Sequence, residues 1–247
     1  QSSLIEYIVI FFMFVAGANF ALHYWVLRGG ANHLFRDSEF RLYTCIVFGA
    51  TLLIVLVLWN THGFDSIRLG LFQVVSIITT TGFTTANFDA WPNAARMVLF
   101  LLLFIGGCAG STGGGPKVVR LLLLIKYGYR ELFRSLHPKA ILPIRLGRQM
   151  VPQGVMGAIL SFFILYIFIF AVASLILSLL GMDTVSATSA AATTLGNVGP
   201  GFNIVGPVAH FSGVHPIGKL VLILCMWIGR LEIFTVLVLL IPDFWRK

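Results

Sequence analysis

The residues in this sequence best suited to holding an ion sit in two short turns. Thr79-Thr80-Thr81-Gly82-Phe83 and Thr193-Thr194-Leu195-Gly196-Asn197 each combine hydroxyl-bearing residues with a glycine and carry no charge. Such a turn presents carbonyl oxygens, which replace the hydration shell of a monovalent cation without fixing it permanently. Glycine permits the backbone twist that aims successive carbonyls to one side. A ring of Asp or Glu would favour a divalent ion, and neither turn contains one. Gly82 and Gly196 are read as equivalent positions. The plainer alternative is that both glycines only allow tight helix packing.

A second cluster is the run Gly106-Gly107-Cys108-Ala109-Gly110-Ser111-Thr112-Gly113-Gly114-Gly115-Pro116, through which no helix passes unbroken. Arg230 stands alone inside another apolar run. Pro92 to Gly106 and Pro216 to Arg230 are both steps of 14 residues. Helices opening at those prolines would carry both features about 21 Å inward. A loop at that depth can cross a conduction path, and Arg230 can repel a cation there or hold the loop through its carbonyls. That pairing predicts a gate. A charge inside a span costs about 2.5–3.5 kcal/mol on insertion scales, so a functional role is the default. A salt bridge to Glu232 is disfavoured because residues two apart on a helix do not face each other.

Enzyme readings of the loop fail on detail. Gly110 and Gly115 have phosphate-loop separation, but Pro116 takes the lysine position, Lys117 comes one late and Val118 replaces Ser/Thr. Ser111 as a nucleophile lacks a base, since His210 and His215 belong to the opposite face. No cofactor motif is found, and the chain is read as a non-enzyme.

The elements that must position these residues follow from composition. The chain has 247 residues, 58% hydrophobic and 11% charged, with mean hydropathy +0.94. Soluble domains carry about 25% charged residues, so most of this surface must face lipid. Cys45, Cys108 and Cys225 lie in apolar runs without metal-ligand spacing. A span needs about 20 apolar residues. Five segments qualify: Leu4–Leu27, Phe40–Asn60, Ala94–Ile125 with an interruption, Gln153–Leu180 and Pro216–Ile241. The shorter Ser66–Thr80 and Thr184–Thr194 each lead into a turn and read as re-entrant half-helices capped by Asp65-Ser66 and Asp183-Thr184. Of the 17 Lys and Arg residues, three lie in the first connection, eight between the third and fourth spans and two at the tail. The positive-inside rule makes that side cytoplasmic, and the charge of +8 is topological rather than a nucleic-acid signal.

Two units repeat: span, half-helix, Gly turn, span. The expected organisation is a last helix of an incomplete upstream repeat at 1-29, a cytoplasmic connection at 30-39, a repeat at 40-125, a basic cytoplasmic connection at 126-152 and a second repeat at 153-247. Both units run the same way across the bilayer, as parallel repeats around an axis along the membrane normal do. The opening at Gln1, close to an apolar run, leads to the expectation of a piece of a longer protein. The fold class is therefore all-α, polytopic and membrane-embedded, with K⁺-channel-like pore units.

Thr80-Thr81-Gly82-Phe83-Thr84, the run from Gly106 to Gly114, Thr194-Leu195-Gly196-Asn197-Val198-Gly199-Pro200-Gly201 and Gly229-Arg230-Leu231-Glu232-Ile233-Phe234 together resemble the C-terminal half of the bacterial TrkH potassium-uptake family, in the Trk/Ktr/HKT superfamily. Ala18-Asn19-Phe20-Ala21-Leu22-His23 is similar to the end of that family's second repeat. The resemblance implies four pore repeats around one K⁺ path, with the third and fourth here. It places filter residues on Thr80, Thr81, Gly82 and Phe83 and on Thr194, Leu195, Gly196, Asn197 and Val198. It places a gating loop on Gly106, Gly107, Gly110, Ser111, Thr112, Gly113, Gly114 and Gly115, and a pore arginine on Arg230. It further implies a bacterial inner-membrane location, a homodimer and a cytoplasmic nucleotide-binding regulatory ring, TrkA-like, against the 117–148 connection. Pro116 departs from the aliphatic residue expected there, and the first two repeats are missing. A Na⁺- or H⁺-coupled symporter and a non-conducting assembly module are the alternatives.

Overall fold

The computed structural model describes every residue except 1, 31, 139, 141, 148, 232, 240, 246 and 247. The basic positions Lys139, Arg148, Arg246 and Lys247, and Glu232, therefore lie outside the described residues. The fold is helical apart from a two-residue hairpin pairing Arg145–Leu146 with Gln149–Met150.

Among the described residues two helices are long and apolar enough to cross a membrane as single rods: α4 (Ser38–His62), of mean hydropathy 2.4, and α8 (Gln153–Leu179), whose apolar stretch has mean hydropathy 2.8. The expected span Leu4–Leu27 is instead two helices, α1 (Ser3–Ala16) and α2 (Phe20–Leu27), bent by 102°. Gly17, Ala18 and Asn19 break it, and the Asn19 side chain caps the new start by accepting from Ala21 N–H at 2.8 Å. A short α3 (Asn32–Arg36) leads into α4, capped by Asp37, which accepts from Phe40 N–H at 2.7 Å.

The half-helices form as expected: α5 (Asp65–Ile78) and α9 (Thr184–Gly196). Asp183 caps α9, accepting from Ser186 N–H at 3.1 Å. Asp65 does not cap α5: the helix begins at Asp65 itself, which pairs with Arg68 at 3.1 Å. Arg68 also pairs with Glu6, a buried carboxylate of α1. That contact fastens the half-helix to the helix entering from upstream.

Among the described residues two large apolar cores result, with a smaller cluster of Leu123, Ile144, Met156 and Ile159 beside them. Ile10 and Met13 of α1, Tyr43, Val47, Ile54 and Leu58 of α4, and Val74, Val75 and Ile78 of α5 form the first. Phe162, Tyr166 and Leu177 of α8 with Ala187, Ala190, Ala191 and Leu195 of α9 form the second. Phe104 touches both, edge-on to Phe170 at 5.1 Å and to Tyr166 at 6.4 Å. Small residues fill α9 and let neighbouring backbone come close.

The third expected span holds only ten helical residues, α6 (Asn93–Leu102), before the glycine run takes over. α7 (Val118–Leu136) follows and continues well past the expected end at Ile125 into the basic connection. Arg120 in its first turn lies over the Phe162 ring at 4.1 Å, and past Ile125 Lys126 donates to the Arg145 carbonyl at 2.7 Å. The last expected span also breaks, into α10 (Pro216–Arg230) and α11 (Ile233–Leu239), bent by 112° just past Arg230; α12 (Pro242–Trp245) ends the described chain.

Candidate permeation site

Both turns follow one backbone plan. In the first, Thr81 N–H donates to the Ser76 carbonyl at 2.9 Å and the Ser76 hydroxyl donates to the Phe83 carbonyl at 2.6 Å. In the second, Val198 N–H donates to the Thr193 carbonyl at 2.9 Å and the Thr193 hydroxyl donates to the Pro200 carbonyl at 3.0 Å. Thr80 and Asn197 take the same left-handed conformation, φ 55° and 57°. The matching bonds pair Thr80 with Asn197, Thr81 with Val198, Gly82 with Gly199 and Phe83 with Pro200.

The expected equivalence of Gly82 and Gly196 is thereby corrected. α9 continues through Leu195 and Gly196, and the chain leaves the helix only at Asn197. Leu195 is fully buried in the second core, and its carbonyl faces the backbone of Gly229. Thr194 is helical too, its hydroxyl donating to Ala190 O at 2.7 Å. Asn197 and Val198 do occupy the bend, together with Gly199 and Pro200, which the sequence reading places in the same string but not among the named filter positions. Gly82 and Gly199, at φ 76° and 118°, occupy backbone that L side chains rarely adopt.

The turns abut. A Cβ added to Gly82 would overlap the Val198 carbonyl oxygen, and one added to Gly199 would lie 3.8 Å from Gly82 Cα. The C-terminal ends of α5 and α9 arrive directly at them, so the negative ends of both helix dipoles point at the same region.

The glycine loop lies directly against both turns. Gly114 N–H donates to the Thr80 hydroxyl at 2.7 Å, and a Cβ on Gly114 would stand 2.8 Å from the Gly196 carbonyl oxygen. Gly106 N–H to Pro116 O at 2.8 Å and Val118 N–H to Gly107 O at 3.1 Å close the neck of the loop. Its tip is bound to the α1–α2 elbow: Cys108 N–H to Gly17 O at 2.9 Å, Thr112 N–H to Ala16 O at 3.3 Å and Phe20 N–H to Gly110 O at 3.1 Å. The Ser111 hydroxyl donates to the Cys108 carbonyl at 2.6 Å, a local loop bond with no base involved. Lys117 reaches the Gly113 carbonyl. Arg230 does meet the loop, its guanidinium donating to the Thr112 carbonyl at 3.4 Å. Sequence spacing aimed it at Gly106, but α6 ends early and brings the far limb of the loop to it.

Beyond the turns a polar bridge joins the two repeats. Asp89 accepts from Asn203 N–H at 2.7 Å and from Arg96 at 3.2 Å, Arg96 also donates to the Asn203 amide oxygen at 3.1 Å, and Asn203 Nδ2 donates to Asp183 at 3.1 Å. Hydrogen bonds led by the Ser186 hydroxyl hold the Asp183 carboxyl below the usual carboxylate range.

The family model described as "TrkH: Cation transport protein" matches residues 1–247. The chain belongs to the TrkH family. The Escherichia coli K12 protein named Trk system potassium uptake protein TrkH is 41% identical over 252 residues, covering 100% of this chain and 52% of that protein. Its Vibrio parahaemolyticus namesake is 45% identical over 255 residues with the same coverage, and the Escherichia coli TrkG protein is 32% identical over 248 residues. The crystal structure of the potassium transporter TrkH from Vibrio parahaemolyticus superimposes with a TM-score of 0.90 at 44% identity, covering 99% of this chain and 53% of that one. The chain thus spans about half the length of these relatives, which are named as transport proteins rather than enzymes. TrkH family membership and the apolar helices make this a membrane protein.

Proposed function

We propose that this chain forms half of a K⁺ permeation path in the bacterial inner membrane. The filter in this reading is built from the backbone carbonyls of Thr80, Thr81, Gly82 and Phe83 and of Asn197, Val198, Gly199 and Pro200. The observation that carries it is the shared, abutting geometry of the two turns at the ends of two half-helices. Non-helical backbone at membrane depth is tolerated only when it is packed in protein or faces water. Uncharged oxygens held by a fixed backbone stabilise a partly dehydrated K⁺ yet release it. Upstream repeats of the same protein complete the ring, and a second copy forms the homodimer.

In this reading the loop from Gly106 to Gly115 is the gate, a role supported by its contact with the first turn at Thr80. Arg230 holds it there through Thr112. The amphipathic end of α7 offers the contact for a cytoplasmic nucleotide-binding regulatory subunit, TrkA-like. K⁺ is cargo, and no cofactor takes part.

The test is growth rescue at limiting K⁺ of a strain lacking K⁺ uptake, using the full-length protein with and without Gly82→Ser and Gly199→Ser. The parent rescues, and both variants lose rescue or admit Na⁺. Rescue and cation discrimination unchanged in both variants would contradict the filter assignment.

A further inference from the structure

Glu39 has no part in the filter or in the Arg230 contact, yet it is buried at 7% exposure in the first turn of α4. One of its carboxylate oxygens accepts two backbone hydrogen bonds, from Ala109 N–H at 2.6 Å and from Val119 N–H at 3.0 Å. Ala109 lies in the tip of the glycine loop, between Cys108 and Gly110, whereas Val119 lies in the first turn of α7, just beyond the loop's exit. A single atom therefore ties the loop's tip and the start of α7 to α4. Capping α7 accounts for the bond to Val119, since the first N–H groups of a helix lack partners within it. It does not account for the bond to Ala109, which is ten residues away across the loop. Hydrogen bonds to a carboxylate are roughly twice as strong as neutral ones, and a buried carboxylate that loses them is costly.

We propose that Glu39 is the positioning residue of the gate: it clamps the tip of the 106–116 loop to the start of α7 so that the loop stays docked against the turns. The inference rests on the loop being the gate. The clamp and the elbow contacts of Gly17 and Ala16 act at different points. The elbow holds the tip through Cys108, Gly110 and Thr112, and Glu39 ties it to α4 and the start of α7, so releasing Glu39 frees the tip on that side while the neck bonds of Gly106 with Pro116 and Gly107 with Val118 remain.

The experiment uses the full-length protein, upstream repeats included, reconstituted in liposomes. Basal ⁸⁶Rb⁺ flux per folded protein is measured for the parent, Glu39→Ala, Glu39→Gln and Arg230→Ala, with amide hydrogen exchange across 106–119. Glu39→Ala is expected to raise basal flux about tenfold or more, the weight of one charge-assisted bond. Glu39→Gln keeps an acceptor in place and falls between parent and alanine variant, with faster exchange at Ala109 and Val119. If Arg230→Ala raises flux while Glu39→Ala only lowers thermal stability, Glu39 is merely a helix cap and the inference fails, the gate surviving. If neither variant changes flux, the gate reading fails and takes the inference with it. Should Glu39→Ala not fold, parent-like exchange at Ala109 and Val119 in Glu39→Gln overturns the clamp.

Discussion

Replacing Gly82 by alanine sets a backbone cost and a steric cost against each other in one residue. At φ 76° an L side chain costs about 1–2 kcal/mol. The added Cβ also overlaps the Val198 carbonyl oxygen, which belongs to the backbone and cannot swing aside as a side chain would. Overpacking of that kind adds about 1–3 kcal/mol, so Gly82→Ala is expected to destabilise by about 2–5 kcal/mol in all. Gly199→Ala separates the terms. Its φ of 118° costs about 1–3 kcal/mol, but its nearest neighbour would be 3.8 Å away, so no overlap follows. Both variants move a carbonyl in the proposed filter, and only the first also drives the turns apart. Uptake of ⁸⁶Rb⁺ by the full-length protein in liposomes, competed with K⁺ and Na⁺, reads the first effect; thermal unfolding reads the second. Both variants are expected to lose discrimination against Na⁺, with Gly82→Ala the less stable. Parent-like discrimination and stability in Gly82→Ala would show that Val198 is not its neighbour, and a larger stability loss in Gly199→Ala would refute the steric ordering.

Other substitutions address neighbouring parts of the account. Gly196→Ala places a Cβ 2.8 Å from the Leu103 carbonyl and so should lower thermal stability while leaving Rb⁺/Na⁺ discrimination close to the parent's. Gly229→Ala forces α10 away from the Leu195 carbonyl, with a stability loss of about 1–3 kcal/mol by thermal or denaturant unfolding. Arg230→Ala removes the Thr112 contact and should raise basal Rb⁺ flux without changing selectivity. Asp183 has its carboxyl depressed in the folded state, so its contribution is present above the ordinary value of 3.8 and is lost as pH falls through the lower folded value. Amide exchange at the start of α9 should accelerate below about pH 4 in the parent, and Asp183→Asn should abolish that dependence.

Much of this architecture was legible because the bilayer imposes long apolar runs and forbids loose backbone at depth. α4, α8 and both half-helices follow from hydropathy, and the arginine–loop pairing followed from equal steps after two prolines. The breaks were harder to read. Leu4–Leu27 is apolar on average despite Glu6 and His23, and only Gly17 with the capping Asn19 marks the bend, a signal hydropathy averages away. The α7 helix outruns its apolar stretch because its basic half remains amphipathic, with Lys126 donating to the Arg145 carbonyl and Arg130 lying over the Tyr127 ring.

The register between the two turns went wrong for a physical reason. Matching Thr-Thr-x-Gly to Thr-Thr-Gly aligned glycines by name, whereas the fold aligns them by the hydroxyl that spans each turn. Ser76 and Thr193 each reach a carbonyl seven residues on, at Phe83 and Pro200. Measured from those hydroxyls, Gly199 was recoverable. Glu39 carried no such cue, since a glutamate in the first turn of a helix is commonplace near the dipole's positive end and only the tertiary fold brings Ala109 and Val119 to it.

The most direct measurement is anomalous scattering from Rb⁺ or Tl⁺ in crystals of the full-length protein. The account predicts cation density on the axis faced by the carbonyls of Thr80 to Phe83 and of Asn197 to Pro200. Density confined elsewhere, with both turns sealed from any ion in a transport-competent protein, would contradict it.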